Sequence, residues 1–142
     1  MLFWTSCSVR QPFFQEATSL MAKVERQEIN GYLCATTVTT IDYLVTRAHG
    51  SQASQQSIRK LLSIYEVATV NRAVLDSALQ TGFSDFEDAV LHESARLSSL
   101  DAIVTRNVRD FRNAVLPVYL PNELLTLLTQ TESTDDSSTT EN

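Results

Sequence analysis

Apolar residues recur at helical spacing over several stretches, and short, continuously apolar runs lie between them. Phe13, Ala17, Leu20, Met21 and Val24 fall on one face between Pro12 and about Glu28, and Pro12 suits a first helical turn, so a helix is predicted there. Asn30-Gly31, which tolerate a left-handed backbone, are expected to end it. Tyr32 to Thr36 reads as a short strand. Thr37 to Ala48 then reads as a helix with Ile41, Leu44 and Val45 inward, stopped near Gly50. A third helix is expected from about Ser51 to Ile64 with Ile58, Leu61 and Leu62 buried, followed by a β-prone stretch from Glu66 to Val70.

Asn71 is placed to cap a helix carrying Ala73, Val74, Leu75 and Ala78 that ends at Gly82. Ser84-Asp85-Phe86-Glu87 has the form of a capping box, in which the Ser84 hydroxyl and the Glu87 carboxylate each bond the other's amide, and it opens a helix to about Ser98. Ala102-Ile103-Val104 reads as a strand and Thr105-Arg106-Asn107 as a polar turn. Val115 to Leu120 reads as a strand whose Pro117 suits an edge, and Asn122 can cap a last helix through Leu128. Helices alternating with short apolar strands predict an α/β protein with a parallel sheet covered on both faces.

Composition narrows the class. The chain has 142 residues, 43% apolar, with three Gly and three Pro, which fits one domain and excludes collagenous and low-complexity readings. Cys7 and Cys34 lack metal spacing and are expected to be reduced packing residues, as in a cytosolic protein. No apolar run approaches the roughly 18 to 20 residues that cross a bilayer, and the opening MLFW is too short for a signal-peptide core. A soluble cytoplasmic protein with no membrane partner is therefore expected.

Net charge is −6, but four of the acidic residues (Glu132, Asp135, Asp136 and Glu141) lie in the last stretch of the chain, which has no basic residue. Without them 13 acidic residues face 11 basic ones. Residues 129–142 are expected to be a disordered, acidic Ser/Thr-rich tail, because such a segment buries too little to repay its ordering entropy, and residues 1–128 the folded domain. A domain-wide basic footprint is absent, so any nucleic-acid binding needs a local cluster or a metal.

Two segments can carry chemistry. Asp85, Asp88 and His92 recur at i, i+3 and i+7 on one helix face. The same spacing fits a helix start stabilised by acidic residues near the positive end of its dipole. The turn from Thr105 to Phe111 follows a strand end, where ligands gather in open α/β sheets. If it approaches Asp88, then Asp88, Asn107 and Asp110 form an oxygen-rich pocket of the kind that suits Mg²⁺ or Mn²⁺. Arg106, Arg109 and Arg112 add positive charge suited to a phosphate backbone, or form ordinary surface pairs with aspartates. His49 and His92 have no metal-ligand spacing and are expected at the surface. Gly-rich phosphate loops and nucleophile elbows are absent.

The runs Asp85-Phe86-Glu87-Asp88-Ala89-Val90 and Asp101-Ala102-Ile103-Val104-Thr105-Arg106-Asn107-Val108-Arg109-Asp110-Phe111 resemble the PIN domain, and more narrowly the bacterial subfamily related to VapC toxins of toxin–antitoxin systems. Arg10-Gln11-Pro12-Phe13-Phe14, the segment from Thr36 to Leu44, and Pro117-Val118-Tyr119 with Pro121-Asn122-Glu123 extend the resemblance over about Met1 to Leu128. It implies a three-layer α/β/α domain with a mostly parallel sheet that cuts RNA phosphodiesters with Mg²⁺ or Mn²⁺.

Position by position, the resemblance makes Asp88 the chief metal ligand, with Asn107 and Asp110 as auxiliary ligands and Thr105 beside them; Arg106 and Arg109 are candidates for RNA contact. It also implies RNA, an antitoxin-like protein and a second copy of the chain as partners. The family's first strand ends in a metal-binding aspartate. Counting back from Pro12, that aspartate precedes Met1, so residues 1–9 fall on the family's first helix and the first strand is expected to be missing. A second acidic slot falls on Thr40, and Asp42, two positions on, points about 200° round a helix. A start codon assigned too late and a degenerate copy both account for this pattern. The function is accordingly read as a metal-dependent ribonuclease, or as an inactive PIN remnant working through protein contacts or dimerisation.

Overall fold

The computed structural model describes residues 2–4 and 14–135. Cys7, Pro12, Phe13 and the tail from residue 136 lie outside them. Five short strands, β1 (Leu2–Trp4), β2 (Gly31–Cys34), β3 (Glu66–Ala68), β4 (Ala102–Val104) and β5 (Val118–Tyr119), form one sheet of order β3-β2-β1-β4-β5 in which every pairing is parallel. The helices are α1 (Phe14–Glu25), α2 (Ala35–His49), α3 (Ser51–Ile64), α4 (Arg72–Leu79), α5 (Phe86–Leu97) and α6 (Pro121–Asp135). This is the α/β architecture the hydrophobic pattern predicts.

The central strand corrects one expectation. Leu2, Phe3 and Trp4 do not fall on a helix. They pair with Gly31, Tyr32 and Leu33 on one side and with Ala102, Ile103 and Val104 on the other. The reason is hydrogen bonding: without a strand there, the facing edges of β2 and β4 would carry buried amides and carbonyls with no partner. A continuous apolar run of strand-forming residues fits that doubly covered slot. Counting from a family pattern places residues by spacing and does not see this demand.

Side chains alternate across the sheet. Cys34 and Ile103 face α5 and pack with Leu91, Ala95, Leu100 and Phe111. Leu33 faces the other way, onto Val24 and Tyr65, and Val104 packs with Leu20 of α1 and Leu124 of α6. α4 lies beside α5 through Val74, Ala78, Ala89 and Val90. Tyr65 crosses over the start of β2 so closely that a Cβ on Gly31 would stand 2.6 Å from its ring. Cys34 is free and fully buried, as expected.

Element ends differ locally from the pattern. The left-handed residue that closes the α1 segment is Gln27 (φ 62°), and Gly31 already belongs to β2. Leu44 and Leu62, expected inward, are 46% and 48% exposed, because α2 and α3 pack chiefly on each other and bury Thr37, Ile41 and Ser54 instead. The last strand shrinks to Val118–Tyr119 at the sheet edge, as Pro117 requires. Glu123, not Asn122, closes the start of α6 by accepting the Leu120 amide. That helix also runs past Leu128, so 129–135 of the expected tail are helical. Thr129, Thr131 and Ser133 return their hydroxyls to carbonyls one turn back, and Lys23 of α1 pairs with Glu132. Among the described residues no helix is long and apolar enough to cross a membrane.

Candidate metal centre at the ends of the central strands

The chain order reverses between β1 and β4, so the carboxyl ends of these two strands flank the switch point where open α/β sheets leave a crevice. β4 leads into that crevice. Thr105 follows it, 4% exposed, and its hydroxyl oxygen accepts the Asn107 amide at 3.2 Å. This tight turn lifts the chain off the sheet and leaves Asn107 exposed at the start of a short 3₁₀ turn, Val108–Phe111, closed by the Asp110 amide donating to the Asn107 carbonyl. Phe111 turns inward and meets Phe83 edge to face, with ring centres 5.7 Å apart. Burying the aromatic ring leaves its neighbour Asp110 on the solvent side.

The other half of the site comes from α5. Its N-cap is Asp85, whose carboxylate accepts the Glu87 amide at 2.9 Å. The Ser84–Glu87 capping box does not form. The helix begins one residue later than that motif requires, and the stronger acceptor, a carboxylate, takes the cap. Asp85 is thereby committed to the helix end, and Asp88 is left in the first turn, half-buried.

The Asp88 carboxyl is pushed up to about 6 from its ordinary 3.8, first by burial and then by the negative charges of Asp85, Asp110 and Glu87. The positive end of the α5 dipole opposes this shift but does not overcome it. The Asp110 contribution is the informative one. Twenty-two positions separate it from Asp88 in sequence, yet the fold brings it close enough for its charge to contribute to the shift at Asp88.

The remaining acidic candidates do not join them. Thr40 is exposed and its hydroxyl donates to the Thr36 carbonyl. Asp42 accepts the Ser54 hydroxyl at 2.6 Å and so faces α3. The first acidic residue of the chain is Glu16, and β1 therefore carries none. Among the described residues no group of three or more His, Cys, Asp or Glu is arranged to hold a metal ion. Asp88 and Asp110 carry carboxylates and Asn107 an amide oxygen, all hard oxygen donors of the kind a divalent cation takes. Arg106 is half-buried and Arg109 exposed beside it.

His92 corrects a further expectation. His49 is exposed, but His92 is 2% exposed. Its Nε2 accepts the Val115 amide at 3.1 Å, and burial pushes its ionisation below the ordinary value. Phe83, His92 and Asn113 all brace the segment that carries Asp110; helical spacing groups His92 with Asp85 and Asp88 but marks neither Phe83 nor Asn113. The available signal was that His92 stands among Val90, Leu91 and Ala95, all buried residues of the helix face turned to the core.

The fold is found in known proteins. Residues 4–109 match the PIN domain family. The structure resembles PAE2754 from Pyrobaculum aerophilum, with a TM-score of 0.64 at 16% identity over 92% of this chain and 96% of that one. It also resembles VapC20 from Mycobacterium tuberculosis, a sarcin-ricin loop cleaving toxin, with a TM-score of 0.56 at 14% identity over 72% of this chain and 87% of that one. A toxin–antitoxin complex from Klebsiella pneumoniae gives a TM-score of 0.56 at 14% identity, covering 85% of this chain and 98% of that one. No curated protein sequence matches the chain. The parallel sheet and the family match over most of the chain agree: the chain belongs to the PIN domain family, with the fold seen in VapC-type toxins.

Proposed function

We propose that this protein is a metal-dependent phosphodiesterase acting on RNA, of the toxin–antitoxin kind. The observation that supports the reading is that the Asp88 carboxyl is raised by burial and by the charges of its acidic neighbours, Asp110 of the turn after β4 among them. Mg²⁺ or Mn²⁺ bound there supplies an activated water and offsets charge growing on the leaving oxygen. Asp88 and Asp110 hold the cation, and Asn107 adds a neutral oxygen. Thr105 keeps the turn closed through its bond to the Asn107 amide. Arg106 and Arg109 draw the phosphate backbone toward the crevice. The partners are RNA, an antitoxin-like protein and a second copy of the chain, and the exposed Tyr43, Leu44 and Leu62 of the α2–α3 pair provide apolar surface for protein contact. The setting is the cytoplasm.

One observation favours a second reading, a PIN remnant that works through protein contacts. Neither β1 nor position 40 carries a carboxylate, which leaves the cation fewer charged ligands than the family pattern implies. RNA cleavage decides between them. The 142-residue chain with Mn²⁺ should cut RNA. Asp88→Ala and Asp110→Ala should each lower the rate on the order of 100-fold or more, and EDTA should abolish it. Equal cleavage by wild type and Asp88→Ala, or cleavage that survives EDTA, would remove the metal reading; a folded wild type that does not cut favours the remnant.

A further inference from the structure

Three ties converge on the segment between the 3₁₀ turn and β5. The Val115 amide donates to His92 Nε2, the Asn113 side-chain amide donates to the Gly82 carbonyl, and Phe111 packs against Phe83. The Phe83 ring in turn lies 5.1 Å from the His92 ring, tilted against it. Asp110 immediately precedes Phe111, the first of these ties along the chain. His92 lies one turn along α5 from Asp88, so the same rigid helix carries one carboxylate and grips the backbone that carries the other.

The protonation of His92 follows from its partner. Because Nε2 accepts a hydrogen bond, the proton of the neutral ring sits on Nδ1. Nδ1 is buried and has no hydrogen-bond partner among the described residues, a cost that a leucine of similar size would avoid. What the imidazole contributes in return is an acceptor for the Val115 amide, at a point where the chain runs across the sheet end without a strand partner. Val115 itself is 73% exposed, so its side chain does not anchor the segment.

We propose that His92 is a positioning residue: by accepting the Val115 amide it fixes the segment from Asn107 to Leu116 and so sets Asp110 opposite Asp88. The inference rests on the reading of those carboxylates as a cation site, and it adds a residue that touches neither cation nor RNA.

The experiment uses the full 142-residue chain as wild type, His92→Leu, His92→Gln and Val115→Pro. Gln keeps an acceptor at about the reach of Nε2, Leu removes it, and Val115→Pro removes the donor while leaving the core intact. Amide exchange across 107–116 and Mn²⁺ affinity are measured on each, with circular dichroism confirming the fold. His92→Leu should speed exchange in that segment alone and weaken Mn²⁺ binding by roughly 10-fold or more; Val115→Pro should do the same, and His92→Gln should restore both. Unchanged exchange and affinity in His92→Leu and Val115→Pro would overturn the proposal, as would a Gln variant no better than Leu. If His92→Leu fails to fold, Val115→Pro decides. A wild type that binds no Mn²⁺ defeats the cation site instead, and the exchange data then judge the brace by themselves.

Discussion

Asp88 is held in a place where its charge is unwelcome, and its protonation links site and stability. Its folded value of about 6 lies above the ordinary 3.8, so between those limits the folded chain holds a proton that the unfolded chain has released. Stability from this group is therefore highest below about 3.8, falls as pH rises to about 6, and stays lowered above it. Asp88→Asn should stabilise the metal-free chain at pH 7 by on the order of 1 kcal/mol once solvent screening of a half-buried carboxyl is allowed for, read as a raised melting temperature. At a pH below the ordinary value the gain should vanish. His92 acts in the opposite sense, losing stability as pH falls below its ordinary 6.5, because the unfolded chain takes up the proton more readily. Comparing Asp88→Asn with wild type at each pH cancels that contribution. A variant no more stable than wild type at neutral pH would mean that the carboxylate is not strained by its surroundings.

Among the elements, caps and faces behave as separate kinds of information. Asn71 caps α4 as its sequence position implies, accepting the Val74 amide at 3.0 Å. Replacing Asn71 with Ala should cost about 1 kcal/mol in chemical denaturation, with no effect on Mn²⁺ binding, since α4 supplies none of the proposed ligands. A loss well below a few tenths of a kcal/mol would show that the cap contributes nothing. The α5 start was legible as a helix start and misread in its chemistry: Asp85 and Ser84 are adjacent acceptors, and a shift of one residue exchanges their roles. Leu44 and Leu62 were misread for a different reason. Helical spacing defines a face, but only packing decides which face meets the core, and α2 and α3 chiefly cover each other.

At the scale of the whole molecule, the proposed site draws on two segments distant in sequence, so a cation bound there should couple them. Mn²⁺ should raise the melting temperature of the wild-type chain in a concentration-dependent way, and more at pH 7.5 than at pH 5, where the proton on Asp88 competes with the ion. Asp88→Ala and Asp110→Ala should each abolish the rise. A rise that persists in both variants would place the ion elsewhere.

From α1 onward the sequence by itself determined the element types and their order, because helical spacing, caps and apolar strand runs are local properties read within a dozen residues. It also named Asp88, Asn107, Asp110 and Thr105 as chemically capable, since donor type belongs to the residue. Only the tertiary structure decided that Leu2–Trp4 completes the sheet, that Asp110 lies near enough to raise Asp88, and that His92 is a buried brace and not a surface group. Each of these depends on hydrogen-bond partners or charges contributed from tens of residues away, and a one-dimensional pattern carries no record of which distant groups must be satisfied together.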